Sequence, residues 1–489
     1  TKENRVVVVA MPDKPGLTPP TNEQLAAVLG KVEATDLKPY EDKTVEGPLV
    51  SEIPPKSGVV SRKRNEALGV TEVTLKNGVR VLLKPTDFKK EEVLFTAFSP
   101  GGTSLVPDKE YFDAVAADTL VNMSGVGAFD VVALQKKLAG KSAQVSPSIG
   151  ELSEGMSGTA ATKDMETMLQ LAYLYFTAPR ADASALAVYV QQRSAMLQNL
   201  LSTPQGVFQK AMLDAMYGDA LRRRIPTVAD VKSTNLQDAL SSYRQRFAGA
   251  NDFTFLFVGS FEEAKVIELC ERYLGNLPVK DSVEAWKDVV PDLPGGVVAR
   301  TVKKGTDPQS RVSLTFHGPF QYTRENRFAI RMMASVLNIK LREELREDRG
   351  GVYGVSVGAS PTDRPDPRYQ LRIGFGCDPV RVAELKSAVM EQITWIKNAE
   401  EMDKYLAKVK EQERRSFETS LRENGFWLST IQFYYERPGE DPTQLMKLPE
   451  LVEKINAPEI RKAAAEYLNT NRLIDVTLYP ENFEVPAAK

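Results

Sequence analysis

A repeat constrains this chain more than any other sequence feature. NDFTFLFVGSF begins at Asn251 and NRLIDVTLYPENF at Asn471. EVLFTAFSPGG begins at Glu92 and RVSLTFHGPFQ at Arg311, and the two spacings agree to a single position. Each closing stretch follows a helical pattern that contains a tyrosine, Tyr243 or Tyr467. Two separate matches at one spacing mean two copies of one module, 70–277 and 297–489.

Within each copy, strands alternate with long helices. VTEVTLKNGVRVLLKPT alternates around Asn77-Gly78, a strong hairpin signal. Further strands are predicted at 93–98, 143–149, 155–161 and 253–258. Helices are predicted at 109–123, 130–138, 165–176, 182–201, 236–247 and 262–274. The second copy has strands at 312–316, 352–359, 369–374 and 473–478. Its helices cover 325–346, 380–397 and 457–468, and one at 401–423 breaks at Asn424-Gly425. Asp378 is a good N-cap there, with Pro379 at the first helical position. The expected fold class is α+β: two homologous modules, each a mostly antiparallel sheet covered by helices.

The remaining segments read as connections. Residues 34–69, with Pro39, Pro48, Pro54 and Pro55, form an extended linker, and 278–296, around Trp286, Pro291 and Pro294, a second one. Residues 1–33 hold NRVVVVAMPDK at 4–14, a third copy of the closing strand. Thr21 and Gln24 then form a capping box before Leu25, Val28, Leu29 and Val32. This closing strand has no module in front of it. The expectation is that 1–33 ends a preceding module and that Thr1 falls inside a longer natural chain.

Composition removes some functions. The 63 basic and 65 acidic side chains leave a net charge of −2, which argues against a nucleic-acid partner. No apolar run approaches the roughly 18 residues of a membrane span. The chain has one histidine, His317, and two cysteines, Cys270 and Cys377, with no C-x-x-C pair. Catalytic zinc usually takes three protein ligands, so neither a metal site nor a cofactor is expected in this chain. His317, in VSLTFHGPF, reads as a strand-end residue; pairing of the cysteines stays open. Arg222, Arg223 and Arg224 read as a solvated turn or the rim of a substrate chamber. Glu411, Glu413, Arg414 and Arg415 read as an exposed helical face, and Trp395 and Trp427 as core.

The stretch with the most chemistry is LREELREDRGGVYGVSVG, 341–358. It starts as a helix end, breaks at Gly350-Gly351 and restarts as a strand. Arg346 lies in the last helical turn and Tyr353 at the strand start, seven residues on. A guanidinium and a phenol are both donors, and both suit a carbonyl oxygen that gains negative charge. A plainer account fits the same residues: a cation favoured by the helix dipole, and a tyrosine packed on a sheet.

GVTEVTLKNGVRVLLKPTDFK, SGVGAFDVVALQKKLAGK, YLYFTAPRADASA and LREELREDRGGVYGVSVG, in this order, resemble one half of a pitrilysin/insulysin-type inverzincin zinc peptidase of the single-chain, bacterial-like kind. The resemblance implies two halves that close around a chamber. The catalytic half carries H-x-x-E-H on the first helix of its first module. Here that helix is YFDAVAADTLVNMSG, 111–125, without histidine, and Asp118 is the carboxylate nearest the position. The match is therefore to the C-terminal, non-catalytic half, with zinc expected on the other half and this chain inactive alone. A peptide substrate and the catalytic half, in the same polypeptide or a partner subunit, are the implied partners. The compartment stays open between bacterial periplasm and cytoplasm. Arg346 and Tyr353 match the family's Arg–Tyr pair, which implies substrate-carbonyl binding and oxyanion stabilisation in the intact enzyme. The alternative is a non-catalytic scaffold or partner subunit of the same superfamily, as in respiratory-complex core proteins, or a peptide-binding module. A pure scaffold would not need the pair.

Overall fold

The structure is a computed structural model that describes residues 4–11, 16–36, 46–437 and 439–485. It divides into two units, Thr1–Val45 and Glu46–Lys489. In the first, Asn22–Ala34 is a helix opened by the expected capping box, with Thr21 and Gln24 bonded reciprocally. The strand expected at 4–10 does not form: residues 5–10 join no ladder with a described residue, and Val6 and Val8 are exposed. Valine content favours extended backbone, but a strand also needs a neighbour to bond to. Residues 12–14 of the expected third copy lie outside the described residues.

The second unit holds two sheets. The first comprises β1 (Val59–Asn65), β2 (Val70–Leu75), β3 (Arg80–Pro85), β4 (Val93–Pro100), β5 (Ala143–Ile149), β6 (Ser153–Ala160) and β7 (Thr254–Gly259). The second comprises β8 (Val297–Lys303), β9 (Ser310–Pro319), β10 (Val352–Thr362), β11 (Arg368–Cys377) and β12 (Leu473–Tyr479). Their orders are β1-β2-β3-β7-β4-β6-β5 and β10-β11-β9-β12-β8. The run β3-β7-β4-β6-β5 has the topology of β8-β12-β9-β11-β10. In each, the first pair is parallel and the rest antiparallel. The repeat read from sequence is thus a repeat of topology, and the fold is α+β as expected.

β1 corrects the linker expected over 34–69, of which 37–45 lie outside the described residues. VVSRKRN is exposed on most positions, so it carries no apolar alternation. Its ladder to β2 makes it a strand, and Arg62 and Arg64 both pair with Glu263 from another element. Residues 278–296 contain no strand or helix.

One face of each sheet is covered by its own helices. Tyr111–Ser124, Met165–Thr177, Leu236–Arg246 and Glu263–Tyr273 pack on the first sheet. Arg324–Arg342, Val382–Asn398, Asp403–Ser420 and Ala457–Tyr467 pack on the second. The opposite faces are covered reciprocally by two helices absent from the sequence reading. Pro204–Tyr217, capped by Thr203, lays Phe208, Ala211, Ala215 and Met216 on Ile474, Val476 and Leu478 of β12. Asn424–Tyr435 lays Trp427, Ile431 and Tyr434 on Val70, Leu82, Leu256 and Val258 of the first sheet. The break expected at Asn424-Gly425 is real, but Asn424 starts this new helix. The two helices begin at Pro204 and Asn424, the spacing that separates Asn251 from Asn471, so each copy lends the same helix to the other copy's sheet. Fully burying a large apolar side chain is worth about 1.5–3 kcal/mol, so this exchange couples the modules strongly.

Candidate functional site

The helix Arg324–Arg342 continues into a π-helical turn, Glu343–Asp348, before β10. Such turns are uncommon and concentrate at functional sites. Three neighbours of Arg346 hold this one in place. Leu345 is fully buried, Glu343 accepts the Tyr405 hydroxyl at 2.5 Å, and Glu344 accepts Arg349 Nε at 3.0 Å. The turn closes through Arg349 N–H to the Glu344 carbonyl (3.2 Å) and Gly351 N–H to the Leu345 carbonyl (2.9 Å). Gly350 has φ +56°, a left-handed conformation that suits glycine. At Gly351 an added Cβ would lie 2.7 Å from Leu385 Cδ2 and 3.0 Å from Arg381 Nη1. Gly350 is thus favoured by conformation, while a Cβ at Gly351 would push aside the ends of the Leu385 and Arg381 side chains.

Arg346 and Tyr353 flank this closure, and neither is used by it. Arg346 is exposed, and no described residue bonds or pairs with it. Tyr353 is 75% exposed, so it is not packed on the sheet. It is also the extra residue of a β-bulge: Val352 pairs with Cys377 and Gly354 with Gly376. Bulges re-aim side chains, here on the edge strand of the second sheet. The frame is tied down while the two donors stay free.

Asp118, the carboxylate nearest the H-x-x-E-H position, is already partnered. It accepts the Ile149 N–H of β5 at 2.9 Å and also bonds Thr119, and burial pushes its carboxyl upward. Asn338, its counterpart at the repeat spacing, does the same in the second copy, accepting the Val357 N–H of β10 at 3.1 Å. Both are latches from the first long helix to the edge strand. The donor set of this helix does not fit zinc. It has no histidine, its central carboxylate is committed to backbone, and the described residues contain no group of three or more His, Cys, Asp or Glu side chains. Cys270 and Cys377 are free and buried, with burial pushing the Cys377 thiol up to about 11.

The three consecutive arginines are not a solvated turn. Arg222 pairs with Asp108 and bonds the Thr103 and Val106 carbonyls. Arg223 Nη2 donates to both Glu151 carboxylate oxygens, and Arg224 forks onto Asp230 through both Nη atoms. Each also lies over an aromatic ring, Tyr111, Tyr217 or Phe112. They are clasps; distance in sequence hid Asp108 and Glu151, although Asp230 follows Arg224 closely. Trp427 is core as expected, whereas Trp395 is half-buried against Tyr405. Arg414 and Arg415 share Glu411 on the expected helical face.

A perturbed carboxylate went unnoticed in the sequence. Glu154 is buried at the end of β6, where it accepts the Gly102 N–H at 2.6 Å. Burial pushes its pKa up to about 7, against the pull of Arg246 and Lys280. Arg246 and Lys280 both pair with Glu284, and Lys280 with Asp252, which ties 278–296 to the first module.

Two sheets of one topology, a latched edge strand in each and a free Arg–Tyr pair in the second define a duplicated α+β module. The family profile described as "Peptidase M16 inactive domain" matches residues 235–413. The chain is 24% identical over 434 residues to a zinc protease PQQL-like of Arabidopsis thaliana, covering 84% of this chain and 42% of that protein. It superposes on the crystal structure of the periplasmic protease PqqL from Escherichia coli with TM-score 0.78 and 23% identity, over 94% of this chain and 51% of that one. For the peptidase M16 inactive domain from Pseudomonas fluorescens the TM-score is 0.68 at 16% identity, over 86% of this chain and 100% of that one. Residues 235–413 thus match the M16 domain described as inactive, and most of the chain is similar to PqqL-like zinc proteases. The chain spans less than half the length of the PQQL-like relative.

Proposed function

We propose that this chain is the non-catalytic half of a zinc endopeptidase, and that Arg346 and Tyr353 serve its substrate. The two donors reach the carbonyl oxygen of a bound peptide as that oxygen gains negative charge. The observation that carries this reading is their freedom on a fixed frame. A π-turn, a β-bulge and the left-handed Gly350 set the backbone, and neither side chain holds the fold together. Donors fixed in advance and left unpaired are what electrostatic stabilisation of a developing oxyanion needs. Zinc belongs on the partner half, because the ligands present here do not fit it. The relatives' greater length and their description as zinc proteases support a separate catalytic half.

Steady-state kinetics in the complete enzyme test the role. Arg346→Ala and Tyr353→Phe should each lower kcat about 10²–10³-fold, the usual loss for one oxyanion donor. KM should change less, because the interaction strengthens in the transition state. Normal kcat/KM in well-folded variants would contradict the proposal and favour a scaffold subunit, which has no use for the pair.

A further inference from the structure

A cavity of about 400 Å³ opens at the far end of the second sheet, where β9 finishes and β11 begins. The site turn lies beside Cys377 and Ser310, and this cavity beside Arg368 and Pro319, the opposite ends of one ladder. At roughly 3.3 Å per residue the two are about 30 Å apart along the strands. The cavity is lined by the chain's single histidine, His317, and by Arg368 and Arg472. His317 is 3% exposed and its Nε2 has no hydrogen-bond partner among the described residues. Buried polar atoms are rarely left so. Burial and the Arg472 charge both hold the imidazole neutral, and no carboxylate opposes them. Neither guanidinium pairs with a described carboxylate, although Asp292 and Asp366 also line the cavity.

The repeat shows what this position takes. His317 aligns with Phe98, and Arg472 with Asp252, the residue after the shared asparagine. Phe98 and Asp252 line a cavity of about 580 Å³ that the second copy closes with residues such as Tyr322, Asp363 and Arg437. There the charge is answered: Lys280, from the segment after the module, lies 2.9 Å from Asp252. In the second copy the sign is reversed and the answering group is missing among the described residues. A single oxyanion would fill little of 400 Å³, and Leu293, Pro294 and Pro319 supply apolar wall.

We propose that this cavity binds a carboxylate carried on a peptide or similar organic chain. Arg472 and Arg368 meet its charge, and the His317 Nε2 position supplies the inner hydrogen bond. This does not depend on the role of Arg346 and Tyr353.

One histidine gives one imidazole spin system, so the 489-residue chain with labelled histidine reports the cavity directly. Acetyl-Ala-Ala with a free carboxylate should shift the His317 signals saturably, and its carboxamide should not. Inorganic phosphate should bind at least about tenfold more weakly. Arg472→Gln, a change at an exposed side chain, should weaken the peptide acid about tenfold, the scale of a lost charge-assisted bond. The proposal is overturned by an equal response to acid and amide, by no saturable response, by phosphate binding as tightly as the peptide acid, or by binding that survives Arg472→Gln unchanged.

Discussion

The two copies share a first long helix and an edge strand, and differ in what joins them. In the first copy the helix Tyr111–Ser124 ends at Gly125, and residues 125–142, including the helix Val131–Lys137, lead into β5. β5 then pairs with β6 without a register shift. In the second copy the helix runs on through a π-turn, and only Arg349, Gly350 and Gly351 separate that turn from β10. β10 starts with a bulge. The scaffold is duplicated almost element for element, down to the latches Asp118 and Asn338. The candidate site is not. A short, tight connection puts two donors where the first copy places a longer one. Duplication supplies the frame, and the connector supplies the two free donors.

The largest expected effect tests the shared frame. Phe208→Ala and Trp427→Ala remove one large buried side chain each from the two exchanged helices. Each should cost about 3–5 kcal/mol in urea unfolding. A small cost for one alone would mean that the exchange is lopsided and the copies are not equivalent.

A second test separates the copies by pH. Glu154 exists only in the first, with its pKa up to about 7 from an ordinary value of 4.5. Folding therefore favours its protonated form. The stabilisation is complete below pH 4.5 and is lost as pH rises through 7, about 3 kcal/mol in all. Unfolding free energies from pH 4 to pH 8 should show that loss, and Glu154→Gln should flatten it. An unchanged slope in the variant would assign the pH dependence elsewhere.

The latches come next. Asp118→Ala and Asn338→Ala each strand a backbone N–H of an edge strand, at a cost of about 1–3 kcal/mol. Asp118→Asn keeps an acceptor and should cost less. If Asn338→Ala were neutral while Asp118→Ala was not, water would be replacing the second latch.

Sequence patterns exposed those parts of the fold that are decided locally. Asn77-Gly78 specifies its own turn, and the hairpin of β2 and β3 follows. Inward positions such as Phe95, Ala97, Val312 and Leu314 repeat at the period of a half-buried strand, so the matching sheets were legible. What was hidden depends on distant partners. β1 and β8 are exposed edge strands without alternation, made into strands by β2 and β12. Thr203-Pro204 is a sound helix start, yet the helix it opens buries its face on the other module. Arg346 and Tyr353 were visible as residue types at a helix–strand junction. The π-turn and the bulge that hold them apart from the core were not, because both are features of hydrogen-bond register.

The smallest expected effect bears most directly on the central claim, that the connector of the second copy carries side chains the fold does not use. The Arg346→Ala/Tyr353→Phe double variant should unfold within about 0.5 kcal/mol of the parent chain, as substitutions at unpartnered surface positions do. Urea midpoints of the two proteins, measured side by side, decide it. Coincident transitions are the predicted result. A loss of more than about 1 kcal/mol, of the order of a buried hydrogen bond, would mean that the pair belongs to the frame and would contradict the account.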